Sequence, residues 1–366
     1  MLRYALWPKV ALPARRARRW LIPLLAAAAC QHSGPFQTTA QDPTGPRSNE
    51  LPRQVTLSGY PDLTPARSGS GADWLYTYTE PGRPGIINFC IAGMPLDGGG
   101  RTRTYCDVAL GRFGLTTTIT WPAESPDGRL AYIRSRGVPN SGPSYSTALI
   151  LGSFAPRDSG RILRSFPYRS PQGLVRSATH IGWLNHHTLL FVATDIIHPG
   201  FASQDTAEGG LQIERLDVDQ PSGTPDVMPG TAFASSVEPM ADGSGFFFTL
   251  LGDPRVYRRK LAGGTTDPVY DFGGPLPARD VRFADSVLYA VVGGIIQTIT
   301  DTTDTTETIQ WDFGGTLMRV DLRSGLADSL VVPGLLVRHP ALSGDHHRLL
   351  VETVSQTKDL WLVEAP

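Results

Sequence analysis

The chain has 366 residues, 40% hydrophobic and 18% charged, with a formal net charge of −1. That is enough apolar material for a large core, and it excludes generic disorder and a broad basic surface for nucleic acid. The 39 glycines and 31 prolines leave few runs of helical length, which excludes a helical bundle and favours many short strands joined by turns.

Residues 1–29 differ from the rest. Six of the 33 basic residues lie there (Arg3, Lys9, Arg15, Arg16, Arg18, Arg19) and none of the 34 acidic ones, ahead of an apolar run over 20–25 and an alanine tract. A positive leader, a short apolar segment and small residues before a cleavage point predict an export signal whose apolar part is too short to span a bilayer. Ala27-Ala28-Ala29-Cys30 resembles a bacterial lipobox, with Ala where Leu is usual, and predicts lipidation at Cys30; plain secretion with cleavage near Ala29 is the alternative. Without the leader the chain carries a formal −7, which disfavours nucleic acid further. Residues 30–50 are polar and aperiodic, as expected of a solvated tether, and 51–366 are expected to form one domain.

Residues 54–58 read as a strand, and 74–79 as another. Cys90 and Cys106 flank Asp97-Gly98-Gly99-Gly100, and the midpoint between them is residue 98. A hairpin turning there sets the two cysteines opposite each other, at a separation that suits a disulfide in an oxidising compartment; two buried thiols are the alternative. The clearest repeat covers 119–133: a strand, the turn Ser125-Pro126-Asp127-Gly128, and a second strand with alternating apolar positions. Strands over 148–152 and 161–166 follow, and four short antiparallel strands in about fifty residues make one propeller blade. Weaker copies occupy 180–191 with 211–218, 237–248 with 255–261, 281–289 with 316–322, and 338–345 with 348–352. Residues 74–79 with the cysteine hairpin make a degenerate first copy, giving six. The last copy has three strands, ending at 359–363, and the strand at 54–58 is predicted to supply its fourth and cover an open edge.

The segment from Pro122 to Gly128 resembles the TolB-type, WD40-like propeller repeat, whose core reads proline, one or two residues, Ser-Pro-Asp-Gly and an apolar strand; the copies at Pro239 and Pro340 keep part of it. The resemblance spans 51–366. It implies an all-β fold, a six-bladed β-propeller of four-stranded antiparallel blades, with the ring closed by the N-terminal strand. TolB proteins carry a further α/β domain that the tether is too short to supply, so their envelope-spanning role is not implied.

No Gly-x-Ser-x-Gly elbow, phosphate loop or His-Glu-x-x-His pattern occurs, so no catalytic residue and no metal ligand is assigned. His186-His187 and His346-His347 take the repeat position of Asp127-Gly128 and read as exposed turn residues, since adjacent strand side chains point to opposite faces. Trp121 and Trp183 read as core packing at matching repeat positions. Three long loops, 134–147, 195–210 and 293–315, join second to third strands on one face, where propellers bind partners. Candidate binding residues on them are Arg134, Arg136, His198, Asp301, Asp304 and Glu307. The last three make an acidic tip between β-branched runs, where calcium is the one cofactor considered; the spacing is not that of an EF-hand, and a solvated tip is the simpler reading.

Together these features predict a monomeric, exported, lipid-anchored propeller of the cell envelope, periplasmic or on the cell surface, that binds a protein or a glycan and touches the membrane only through its anchor. The rival is a lyase or hydrolase acting on polysaccharide, which requires several His, Arg or acidic side chains to converge in the central channel.

Overall fold

The computed structural model describes residues 50–365 apart from 57–61, 82–86, 107–115, 138–145, 156–157, 167, 170–173, 198–211, 221–224, 304–305, 331, 333 and 355–357. The predicted leader, Cys30 and nearly all of the tether lie outside the described residues, as do His198 and Asp304.

The described residues form 25 strands and no α-helix. They pair into sheets of eight, five, four and eight strands, which chain order divides into five largely antiparallel groups of four and a last group of three joined by the two-residue β1 (Arg53–Gln54). The first is β2 (Asp62–Arg67), β3 (Asp73–Pro81), β4 (Ile87–Pro95) and β5 (Arg103–Cys106). The second is β6 (Thr116–Glu124), β7 (Leu130–Gly137), β8 (Ser146–Gly152) and β9 (Arg161–Phe166). The short β10 (Tyr168–Arg169) leads into the third, β11 (Leu174–Trp183), β12 (Thr188–Ile197), β13 (Gln212–Asp217) and β14 (Asp226–Val227). The fourth is β15 (Ala234–Pro239), β16 (Gly245–Leu250), β17 (Arg255–Lys260) and β18 (Thr266–Asp271). The fifth is β19 (Ala278–Ala284), β20 (Val287–Thr303), β21 (Thr306–Asp321) and β22 (Ala327–Leu330). The last is β23 (Val337–Leu342), β24 (Arg348–Thr353) and β25 (Leu360–Glu364), and its fourth member is β1, which pairs Arg53 with Leu362 and Gln54 with Trp361.

Side-chain alternation binds each group to two neighbours. Leu130 and Tyr132 of β7 pack toward the first group, while Ala131 and Ile133 pack toward the third. On β16, Phe246 and Phe248 face the third group and Phe247 the fifth. A strand buried on both faces needs apolar residues at consecutive positions, which is why Phe246-Phe247-Phe248 and Leu349-Leu350-Val351 read as continuous apolar runs. Six core clusters result, one between each pair of consecutive groups, and one of them joins the last group to the first through Trp74, Tyr76, Leu350 and Leu362. The first strands pack in a cycle: β2 on β6, β6 on β11, β11 on β15, β15 on β19, β19 on β23, and β23 back on β2.

Three details differ from the sequence reading. The first group opens on β2, so 74–79 belongs to its second strand; the Thr64-Pro65-Ala66-Arg67-Ser68 segment before it is the true repeat start. Arg134 and Arg136 lie in β7, paired with β8, because the strands extend past the expected loop boundary. The segment 293–315, expected as a long loop, is a paired hairpin that continues β20 and β21 as far as Thr303 and Thr306. Cys90 and Cys106 lie opposite each other on β4 and β5 and form the predicted disulfide.

Candidate functional site

Each of the six first strands carries an irregularity in its register with the second strand, between residues 63/66, 120/123, 179/182, 234/236, 279/282 and 338/341. A bulge of this kind bends the strand and re-aims a side chain. Four residues before the start of each following turn stand Thr64, Trp121, His180, Ser236, Asp280 and His339. Five of them have positive φ, between 47° and 56°, a conformation that costs a residue with a Cβ about 1–3 kcal/mol. Five-fold repetition at one position marks a built feature of the place where the six first strands meet.

His180, Asp280 and His339 converge there. One ligand-type atom from each lies within 4.8 Å of the others. His180 Nε2 lies 2.6 Å from Asp280 Oδ1, and its Nδ1 lies 3.1 Å from Thr179 Oγ1. Asp280 Oδ2 accepts a 2.9 Å bond from the His339 backbone N–H. His339 Nδ1 lies 2.9 Å from Glu352 Oε2, which also accepts from the Thr64 N–H, while Arg338 Nε donates to Glu352 Oε1 at 2.7 Å. His339 Nε2 has no hydrogen-bond partner among the described residues. Trp121 covers the pair, its ring centroid 4.1 Å from that of His180 and 4.6 Å from that of His339.

Burial pushes the His180 imidazole down to about 4 against the opposing pull of Asp280, so the ring is neutral at pH 7. Its Nε2–H donates to Asp280, and its Nδ1 accepts from the Thr179 hydroxyl. Burial opposes ionisation of Asp280, yet the neighbouring His339 and the His180 hydrogen bond hold its carboxyl well below the usual carboxylate range. Glu352 is likewise penalised by burial, but Arg338 and then His339 hold it down to about 2. The carboxylates therefore fix the rings, and Glu352 leaves His339 presenting Nε2.

A cavity of about 610 Å³ begins one or two residues further along each first strand, at Ala66, Pro122, Ile181, Glu238, Arg282 and Ala341. All six groups line it, with residues that follow the convergent ones along the chain: Arg67, Glu124, Trp183, Glu238, Arg282 and His346 are among them. Arg282 Nη1 lies 3.2 Å from Glu238 Oε2, Glu124 is held by Arg103 at 2.6 Å, and His346 Nδ1 lies 2.6 Å from Asp285. Arg67 makes no hydrogen bond to a described residue.

No protein-family profile and no curated protein matches the chain. Solved structures of related chain path include a glucose dehydrogenase, 13% identical over 87% of this chain and 99% of that one, with a TM-score of 0.49. An oligogalacturonate lyase in complex with manganese is 11% identical over 86% and 92%, at 0.47, and a TolB from Agrobacterium tumefaciens is 13% identical over 76% and 83%, at 0.44. At these values the likeness concerns chain path and not chemistry. The strand pairing and cyclic packing are those of a β-propeller with four-stranded antiparallel sheets.

The sequence-predicted residues lie elsewhere. Arg134 is buried, with Nη1 donating to Ser159 O at 3.1 Å, and Arg136 is exposed opposite Thr117. Asp301 and Glu307 sit in β20 and β21, opposite Thr308 and Thr302. His186 and His187 are 58% and 65% exposed at a turn, as expected of turn residues. Trp121 and Trp183 do not occupy matching positions: Trp121 aligns with His180, and Trp183, whose Nε1 donates to Ala123 O at 3.0 Å, aligns with Glu124. His180 and His339 escaped the sequence reading because neither belongs to a motif. The available signal was the repeat register, since Thr64-Pro-Ala-x-Ser, Trp121-Pro-Ala-x-Ser and His339-Pro-Ala-x-Ser share one frame whose first position is variable and often polar.

Proposed function

We propose that this chain is an exported six-bladed propeller, closed by β1 as the outer strand of the last blade, that binds a glycan in its central channel. The six four-stranded groups, the six interleaved cores and the cyclic packing of first strands support the blade count; the β1–β25 pairing supports the closure. The leader and Cys30 support export and lipid anchoring at the cell envelope.

One observation carries the functional reading: ionisable side chains converge where the six first strands meet, one or two residues before those that line a cavity shared by all six groups. Burying His180, Asp280, Glu352 and Arg338 costs desolvation that apolar residues would avoid. The cavity's size falls within the usual range for small-ligand sites, and it is concave, which suits a small ligand more than a protein surface. The Trp183 indole offers a face for a sugar ring, and Arg67 and Arg282 offer planar donors for hydroxyl or carboxylate groups.

A second reading is favoured by His339. With Nδ1 on Glu352 and Nε2 without a partner among the described residues, the ring has the arrangement of a general base, as a polysaccharide lyase or hydrolase would need. Calorimetry of the mature chain with neutral and uronate-bearing oligosaccharides tests both. Binding that Trp183→Ala and Arg67→Ala each weaken about tenfold, unaffected by shortening the hairpin at 293–315, supports the channel site. Binding lost only on shortening the hairpin returns the site to the long-loop face, and accumulation of new reducing ends or unsaturated sugars assigns catalysis.

A further inference from the structure

We infer that His180, Asp280 and His339 form a binding site for one divalent transition-metal ion. Two imidazoles and one carboxylate suit zinc, cobalt or manganese and leave coordination positions open for water or a ligand. Each of the three is braced from behind, as metal ligands usually are. His339 Nδ1 is held by Glu352 Oε2, His180 Nδ1 faces Thr179 Oγ1, and Asp280 Oδ2 accepts the His339 N–H, so each residue keeps one atom for the ion: Nε2, Nε2 and Oδ1. Trp121 walls the cluster with an apolar ring.

Donors on a tetrahedral ion stand about 3.4 Å apart, given bonds of about 2.1 Å. The 2.6 Å His180–Asp280 pair must therefore open slightly, and the widest gap, within 4.8 Å, must close by side-chain rotation. With His339 neutral, the protons balance without loss from the site. The hydrogen that His180 Nε2 donates to Asp280 leaves that nitrogen while Nδ1 gains one, which it donates to Thr179 Oγ1; the ring stays neutral and changes tautomer. His339 already presents Nε2 and needs no change if its hydrogen sits on Nδ1.

The inference deepens the channel reading and rests on the same residues, but its readout needs metal alone. Mature protein stripped with chelator is titrated with Zn²⁺, Co²⁺ and Mn²⁺ by calorimetry, with the visible spectrum of Co²⁺ reporting coordination. The expected result is one ion per chain, bound at least about tenfold more weakly by His339→Gln and by Asp280→Asn. A His186→Gln/His187→Gln variant, which removes the exposed turn pair, should bind as wild type. If Asp280→Asn fails to fold, His339→Gln carries the test, because that side chain's one hydrogen bond among the described residues is to Glu352. No uptake by the wild type, undiminished uptake by folded His339→Gln, or loss in the turn-pair variant overturns the inference. Metal binding without glycan binding overturns only the channel reading, and glycan binding without metal only this one.

Discussion

Glu352 has no exposed surface, yet it is ionised, because one oxygen faces Arg338 and the other faces His339 and the Thr64 N–H. Glu352→Ala takes away the carboxylate opposite a buried guanidinium and should cost about 3–5 kcal/mol in urea unfolding. Unchanged stability would mean that water already reaches Arg338. His180 gives a pH signature of opposite character. Its ring protonates near 6.5 when unfolded but only near 4 when folded, so the unfolded state binds the extra proton in between. The stability it contributes is full above about pH 6.5 and is lost as pH falls toward 4. NMR of the ring should show no protonation at pH 5.5, and His180→Gln should flatten the stability profile over that window.

At the scale of the element, the turns of the second and last groups repeat one device. Ser125 donates to Asp127 and Ser343 to Asp345, and both hydroxyls also serve the backbone across the turn, accepting from the N–H of Arg129 and of Arg348. The serine hydrogen bond is the largest influence on each carboxylate and lowers its titration. A lowered carboxylate stabilises the fold above its unfolded value near 3.8, and the benefit disappears as pH falls through the folded value. Asp127→Asn and Asp345→Asn should therefore destabilise at neutral pH and converge with wild type in acid; a constant difference across pH would assign the effect to turn geometry instead. Close approach constrains Gly69 in the same way. A Cβ there would overlap the Ser125 carbonyl, so the first and second groups can meet only if that turn lacks a side chain. Gly69→Ala should lower stability by about 1–3 kcal/mol, measured by denaturant midpoint.

For the whole molecule, the pairing of β1 with β25 is the vulnerable part. Beyond the two pairs of β1, Val55 N–H donates to Leu360 O at 2.9 Å, and Leu360 N–H to Thr56 Oγ1 at 2.9 Å. Leu51 and Val55 also pack on the core shared by the first and last groups. Deleting 51–56 should open an edge of β25 and lower the melting temperature by several degrees, with increased self-association. No change would show that the core shared by the first and last groups holds them together without β1. The Cys90–Cys106 bridge acts within the first group, closing a 16-residue separation; replacing both cysteines by serine should cost on the order of 3 kcal/mol.

The all-β class, several turn positions and the cysteine pair were legible in the sequence, because they depend on local chemistry: φ > 0 at Gly98 and Gly128, and apolar alternation beside the turns. The start of the first group was missed, since Pro65 and Ser68 carry the repeat in a segment without Asp-Gly. The axial cluster was beyond reach for a different reason. His180, Asp280 and His339 are separated by 100 and 59 residues, each alone looks like an ordinary strand residue, and only the cyclic packing of the first strands brings them within hydrogen-bonding distance. The sequence by itself determined what each segment becomes, because backbone and solvent enforce that choice residue by residue. Tertiary structure alone decided which side chains share a site, because the cyclic packing of the first strands brings one position per repeat together in space.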